Sequence, residues 1–234
     1  MQDKCLLNAK KPGTERMILL KEKVFVSWSG GKDSYLALLK AQEQGLDIQY
    51  LLNFIGHEGR SMSHGLSEEI LRKQAAALGI PLVMEQVSWG TYEEGFRSAV
   101  NRFSSKGLTG GVFGDINIVE HREWVQNMCG KLGLAAHLPL WGMEEEDVIT
   151  ELVARDAQLL IVSIDKTSLP QDWLGQKVNK DFLLACKAAG ISPCGERGEY
   201  HTLVVGGPLF TTPLEVEHQG IYETEKTCFL QLSI

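Results

Sequence analysis

Nowhere does the chain carry an apolar run near the roughly 20 residues that a membrane-spanning helix needs, so no membrane partner is expected. Its first 23 residues lack the roughly 7–15-residue apolar stretch of a secretory signal. With Lys10-Lys11-Pro12-Gly13 inside them, they read as a peripheral N-terminal extension. The five cysteines, Cys5, Cys129, Cys186, Cys194 and Cys228, are odd in number and form no CxxC pair. That pattern suits neither a disulfide framework nor a zinc or iron–sulfur site, so reduced thiols and a cytoplasmic location are expected. Basic residues are also short: 23 Lys and Arg stand against 30 Asp and Glu, a formal net charge of −7. Nucleic-acid binders more often carry a basic face, so DNA is not an expected partner and RNA is disfavoured. His57, His64 and His121 show no HxxxH spacing, which counts against a metal site made by them. Neither a repeat nor a low-complexity tract is visible.

What remains is an ordinary globular composition, 44% hydrophobic and 23% charged over 234 residues, enough for one large or two small domains. Val24–Trp28 is short, β-branched and aromatic, and ends at a glycine pair: a buried strand. A helix follows from Tyr35 and closes near Gly45. The alternation continues with a strand over Ile48–Ile55, a helix opened by Ser67-Glu68-Glu69, and a strand from Ile80. Next come a helix over Tyr92–Ser105, a strand over Gly111–Asp115, a helix over Glu120–Leu132 and a strand over Ala135–Trp141. Five strands with intervening helices predict a parallel, doubly wound, Rossmann-like α/β sheet. Its ligands should sit beyond the carboxyl ends of the strands, where the strand order reverses. After Trp141 the rhythm breaks. An acidic helix start at Glu144–Asp147, an apolar strand over Leu159–Ile164, a helix over Asn179–Ala189 and a Gly/Pro-punctuated remainder predict a smaller C-terminal α+β domain. The expected division is 24–142 and 143–234.

Ser29-Gly30-Gly31-Lys32-Asp33-Ser34 joins the first strand to the first helix. Gly30 and Gly31 allow the backbone to wrap a polyphosphate closely, and the helix start aims free N–H groups at the same phosphates. Ser29 and Ser34 offer hydroxyls, and Lys32 offers a point charge. Asp33 is placed to hold a magnesium ion or to cap the helix. A plain strand–glycine–helix turn would need only part of this pattern. All five fixed positions would arise by chance in a chain this long roughly a few times in ten thousand. No Gly-x-x-x-x-Gly-Lys-Ser/Thr spacing exists, so the loop is not a Walker A loop.

This loop resembles the PP-loop of the adenine nucleotide alpha hydrolase superfamily. Further segments are similar to the diphthine–ammonia ligase family: Ser61-Met62-Ser63-His64, Leu78–Leu82, Leu138–Trp141, Trp173-Leu174-Gly175, Gly207–Phe210 and, most of all, Gly195-Glu196-Arg197-Gly198-Glu199-Tyr200-His201-Thr202. The resemblance covers residues 24 to about 212 in order. It implies that ATP activates a carboxylate as an acyl adenylate, that pyrophosphate leaves, and that ammonia displaces AMP. The acceptor it implies is diphthine, a modified histidine on an elongation factor, in organisms that make it. Two positions depart from the family pattern: Arg197 stands where Gly is more frequent, and His201 where an acidic residue is common.

Gly195–Thr202 packs two carboxylates, a Tyr, a His and a Thr between glycines. It reads either as a solvated turn or as a substrate loop, in which Glu196 and Glu199 bind a cationic group or accept a proton from the amine. Diphthine bears a quaternary ammonium, which Tyr200 would suit. Catalytic roles are therefore expected for Lys32, Glu196 and Glu199. Nucleotide contacts are expected from Ser29 to Ser34 and from Asn53, Phe54, His64 and Asp115, and a magnesium contact from Asp33. Substrate contacts are expected from Trp173, Gly195, Glu196, Gly198, Glu199, Tyr200, His201 and Thr202. For Asp115 a turn role, for Phe54 a core role, and for Trp173 a loop-anchoring role compete equally or better. Two other functions stay open, a PP-loop tRNA-modifying enzyme and an ATP- or AMP-sensing module without turnover, as does assembly as a homodimer.

Overall fold

The computed structural model describes residues 21–104 and 106–234; nearly all of the expected N-terminal extension, with Cys5, lies outside them. The first layer runs β1 (Lys23–Ser27), α1 (Lys32–Glu43), β2 (Asp47–Ile55), α2 (Glu68–Leu78), β3 (Leu82–Gln86), α3 (Tyr92–Ser104), β4 (Gly110–Val112), α4 (Val119–Lys131) and β5 (Ala135–His137). The five strands are parallel, in the order β3-β2-β1-β4-β5. Chain order reverses between β1 and β4, so the loop after β1 opens at the switch point where α/β sheets hold ligands.

Alternation along β1 splits the core in two. Val24 and Val26 face one cluster with Leu36, Leu38 and Leu71. Phe25 faces a second, aromatic cluster with Phe96, Phe103 and Phe113, at centroid distances of 6.1, 5.5 and 5.9 Å. Capping sets α2: the Ser67 side chain accepts from Ile70 N–H, and Gly79 closes the helix in the left-handed region at φ 67°.

The second layer adds α5 (Glu145–Ala154), β6 (Gln158–Asp165), a single 3-10 turn (Gln171–Trp173), α6 (Lys180–Ala189), β7 (Tyr200–Gly206), β8 (Glu217–Glu223) and β9 (Thr227–Ser233). Its strands form an antiparallel sheet in the order β7-β6-β9-β8. The doubly wound parallel sheet with a second α+β layer is thus as expected. Leu159, Ile161 and Val204 of this sheet share one core with Val24, Val26 and Leu36. That sharing explains why α1 is apolar on more than one face: the second layer covers the side a lone α/β sheet would leave to solvent.

Three strands differ from their expected spans. β3 begins at Leu82, because Ile80 N–H still bonds Ala75 O at 3.1 Å and Pro81 has no N–H to give a ladder. β4 stops at Val112 and β5 at His137. Beyond β5 the chain turns, with Trp141 N–H on Leu138 O at 3.1 Å around Pro139.

Candidate active site

The loop after β1 is held from behind by two elements, β7 and α2. Gly30 O accepts from Val204 N–H of β7 at 3.0 Å and from Gln74 Nε2 of α2 at 2.9 Å. Lys32 N–H donates to Thr202 Oγ1 at 3.1 Å. Ser34 Oγ donates to Gly31 O at 3.0 Å and lies 3.2 Å from Ser29 Oγ, which accepts from Gly31 N–H at 3.2 Å. Glycine is required here. Gly30 has φ +84°, and a Cβ at Gly31 would lie 2.5 Å from His64 Nε2 and 3.0 Å from Thr202 O. Gly31 is the N-cap of α1 and has no side chain to cap the helix; Thr202 Oγ1 takes the Lys32 amide, which leaves the amides of Asp33 and Ser34 without a capping side chain. The capping alternative for Asp33 is therefore not used. Asp33 instead pairs with Lys32 Nζ through Oδ2 at 2.7 Å, while its buried Oδ1 has no hydrogen-bond partner.

The second motif leads into β7 and borders the same cleft. Gly195, Glu196, His201 and Thr202 line a cavity of about 250 Å³ with Ser29, Lys32, Asp33, Ser34, His64 and Asp115. Burial, helped by Asp33, pushes the Glu196 carboxyl up to about 8. Burial works against the Lys32 charge, but the negative groups around it, Asp33 foremost, together outweigh burial and hold the ammonium above its usual range. His64 and His201 face each other with ring centroids 4.5 Å apart. Burial, then mutual repulsion and Lys32, hold His64 well below the usual imidazole range; burial and Lys32 bring His201 down to about 4. Both rings are neutral at pH 7, and the buried His64 Nδ1 has no partner. Burial raises the Asp115 carboxyl against the opposing pull of His121, whose Nδ1 lies 3.3 Å away.

Two further cavities share lining residues with this one. A largely apolar pocket of about 440 Å³ shares Ser27, Ser29, His64 and Asp115 with it and continues past Asn53, Phe54, Tyr92, Phe96 and Trp124. Asn53 Nδ2 donates to Trp28 O at 2.6 Å, and its buried Oδ1 has no partner. On the other side, Glu196 also lines a cavity of about 1140 Å³ rich in carboxylates, including Glu144, Glu145, Glu146 and Glu199. Hydrogen bonds from Ser192, Asn117 and Cys194 N–H outweigh burial and hold the Glu145 carboxyl below its usual range.

Two family models match the chain: a diphthamide synthase N-terminal domain over residues 22–136 and a diphthamide synthase C-terminal domain over residues 144–233. The chain belongs to the diphthamide synthase family. A diphthine–ammonia ligase of Schizosaccharomyces pombe is 24% identical over 87% of this chain, which spans 38% of that relative's length. The Rattus norvegicus diphthine–ammonia ligase is 24% identical over 81% of this chain and 80% of its own. A solved structure, a predicted subunit of a tRNA methyltransferase from Methanocaldococcus jannaschii, is similar at TM-score 0.45 and 16% identity, over 80% of this chain and 98% of that one.

In this member of the diphthamide synthase family the cleft gathers Ser29, Lys32, Asp33, Ser34, His64, Asp115, Gly195, Glu196, His201 and Thr202, with Asn53 and Phe54 in the adjoining apolar pocket, while Gly30 and Gly31 lie outside the lining. Three of the expected substrate residues, Trp173, Gly198 and Tyr200, lie outside the cleft lining. Trp173 packs edge-on against Phe182 at 5.1 Å, because the loop it sits on folds back onto α6. Tyr200 is buried, its O–H donates to Pro193 O at 2.5 Å, and its ring lies 5.4 Å beneath Lys32 Nζ, so it supports the lysine from below. Gly198 lies outside the lining of all three cavities, at φ +86° in the turn before β7. Glu199 borders only the acidic cavity, with Oε2 accepting from Arg197 N–H at 2.9 Å. Sequence reasoning missed Gln74, Tyr92, Trp124 and Glu145. Gln74 alone left a signal, as a polar residue on the inner stripe Ile70, Leu71, Ala75, Leu78 of α2.

A magnesium ion fits the donors present. Among the described residues no cluster of three or more His, Cys, Asp or Glu forms a protein cage. Magnesium commonly takes one or two carboxylates and completes its shell with phosphate and water, and the unpartnered Asp33 Oδ1 would be such an oxygen beside the glycine loop.

Proposed function

We propose that this chain joins a carboxylate to ammonia at the expense of ATP, through an acyl adenylate, releasing pyrophosphate and AMP. The observation that carries this reading is a set of buried atoms without hydrogen-bond partners, Asn53 Oδ1, His64 Nδ1 and Asp33 Oδ1, on residues that line two adjoining cavities beside the glycine loop. Buried polar groups are ordinarily bonded, so three orphans on the linings of these two cavities mark where a polar ligand would belong. Adenine would lie in the aromatic pocket by Asn53 and Phe54. The polyphosphate would lie on the Gly31 amide, the α1 start and Lys32. Asp33 would hold magnesium, which when bound neutralises charge on the departing pyrophosphate.

The acceptor would enter from the acidic cavity with its carboxylate at Glu196. Attack of its oxygen on the α-phosphorus expels pyrophosphate. Ammonia then attacks the acyl carbon, the bond to AMP breaks, and Glu196 takes the proton lost by nitrogen. A cleft walled by buried neutral imidazoles keeps water from the adenylate. Diphthine, named for the relatives above, is the first acceptor to test, and the carboxylate-rich cavity suits its quaternary ammonium. We also propose the division 24–142 for ATP and 143–234 for the acceptor. Cytoplasmic action is proposed with it, in keeping with the unpaired Cys129, Cys186, Cys194 and Cys228.

The test is pyrophosphate release measured with and without ammonia and carboxylate, diphthine-bearing elongation factor included. Release that requires both supports the ligase. Tight nucleotide binding with no turnover under any condition would leave a sensing module, and turnover on tRNA a modifying enzyme.

A further inference from the structure

Gln74 lies on the inner face of α2 with no exposed surface, behind the glycine loop and outside the lining of the three cavities. Its amide is fully used. Oε1 accepts from Trp28 Nε1–H at 2.9 Å, and Nε2 donates to Gly30 O at 2.9 Å and to Val204 O at 2.8 Å. The orientation has no alternative: an indole N–H only donates, so the amide oxygen must face Trp28 and the NH2 must face the two carbonyls. One side chain thereby joins the end of β1, the glycine loop and β7.

We propose that Gln74 is a positioning residue for nucleotide binding, which sets the Gly30–Gly31 peptide so that the Gly31 N–H faces the phosphates. In a trans peptide the C=O and the following N–H point in opposite directions. Drawing Gly30 O into the core, between Gln74 Nε2 and Val204 N, therefore turns Gly31 N–H outward. It meets Ser29 Oγ at 3.2 Å on the cleft side, where a phosphate oxygen would replace the hydroxyl. Gly30 at φ +84° leaves the peptide free to rotate, so an external constraint is needed. Val204 N alone would hold the carbonyl by one bond. Gln74 adds a second, and its grip on Val204 O keeps β7 in register with the loop. Thr202, two residues earlier on β7, depends on that register to reach Lys32 N–H.

The inference rests on the reading that this loop holds nucleotide phosphates, and the experiment separates the two. ATP affinity is measured by calorimetry on the full chain for wild type, Gln74→Met and Gln74→Glu, beside melting temperature and KM for ammonia. Gln74→Met keeps the volume and removes all three bonds; ATP should bind at least about tenfold more weakly with KM for ammonia unchanged. In Gln74→Glu the ionised carboxylate can accept from Trp28 but turns lone pairs on Gly30 O and Val204 O. Burial favours its neutral form, which regains one donor. Its ATP affinity relative to wild type should therefore recover as pH falls from about 9 to about 6, a response that a merely space-filling role would not show. Wild-type protein that binds no ATP would remove the underlying reading. Wild type that binds ATP, with variants that bind equally or lose affinity only in step with folding and with no pH recovery, would overturn the role of Gln74.

Discussion

Replacing Glu196 by Gln tests the chemistry most directly. The carboxyl is pushed up to about 8 by burial and by Asp33, and a carboxylic acid is a base only in its ionised form. With an inflection near 8 the ionised fraction is about one tenth at pH 7 and one half at pH 8, so base-dependent turnover should rise about fivefold across that interval. Bound phosphates add negative charge nearby and move the inflection higher still. Glu196→Gln keeps the size and removes the base, so the rate should fall by about 10²–10⁴. The assay is pyrophosphate-linked amide formation at saturating ATP and carboxylate, with total ammonium adjusted at each pH to hold free ammonia constant. The wild-type profile should then report Glu196 and the variant profile should be flat. A variant that keeps the wild-type pH rise, or loses less than about threefold in rate, would refute Glu196 as the proton acceptor.

Gly31→Ala has an unstrained backbone at φ −94°, but its Cβ would stand 2.5 Å from His64 Nε2 and 3.0 Å from Thr202 O. Overpacking should cost about 1–3 kcal/mol and raise KM for ATP. Gly130→Ala in α4, where a Cβ meets nothing within 4 Å, should be neutral or stabilising by up to about 1 kcal/mol in denaturant titration. His201, about 4 when folded against an ordinary 6.5, binds fewer protons folded than unfolded. Its contribution is full above pH 6.5 and is lost as pH falls toward 4. Melting temperature should therefore drop over that window, and less steeply in His201→Asn. Trp173→Ala should lower stability by about 2–3 kcal/mol, below the range for fully buried tryptophans, and leave KM for the carboxylate unchanged; a raised KM would restore Trp173 to the substrate contacts.

Much of the architecture was legible because its signals are local. The β-branched run at Val24–Val26, the cap at Ser67 and the left-handed glycine at Gly79 each act within a few residues, and successive strand–helix pairs allow few topologies. Strand ends were less legible. Pro81 and Pro139 shortened β3 and β5 through hydrogen bonds that the pattern of apolar residues does not encode.

The sequence by itself determined the glycine loop, since Ser29–Ser34 carries its own dihedral freedom, hydroxyls and charge in consecutive residues. It also determined that Glu196 and His201 belong to one segment. Only the tertiary structure decided what that segment does to the loop. Thr202 reaches Lys32 N–H across 170 residues and Gln74 reaches Val204 O across 130, while Trp173 and Tyr200 turn into the core. Such contacts depend on which face of a strand or helix packs against another, a choice made by the whole core at once. The raised carboxyl of Glu196 and the neutral histidines follow from burial, which no single segment specifies.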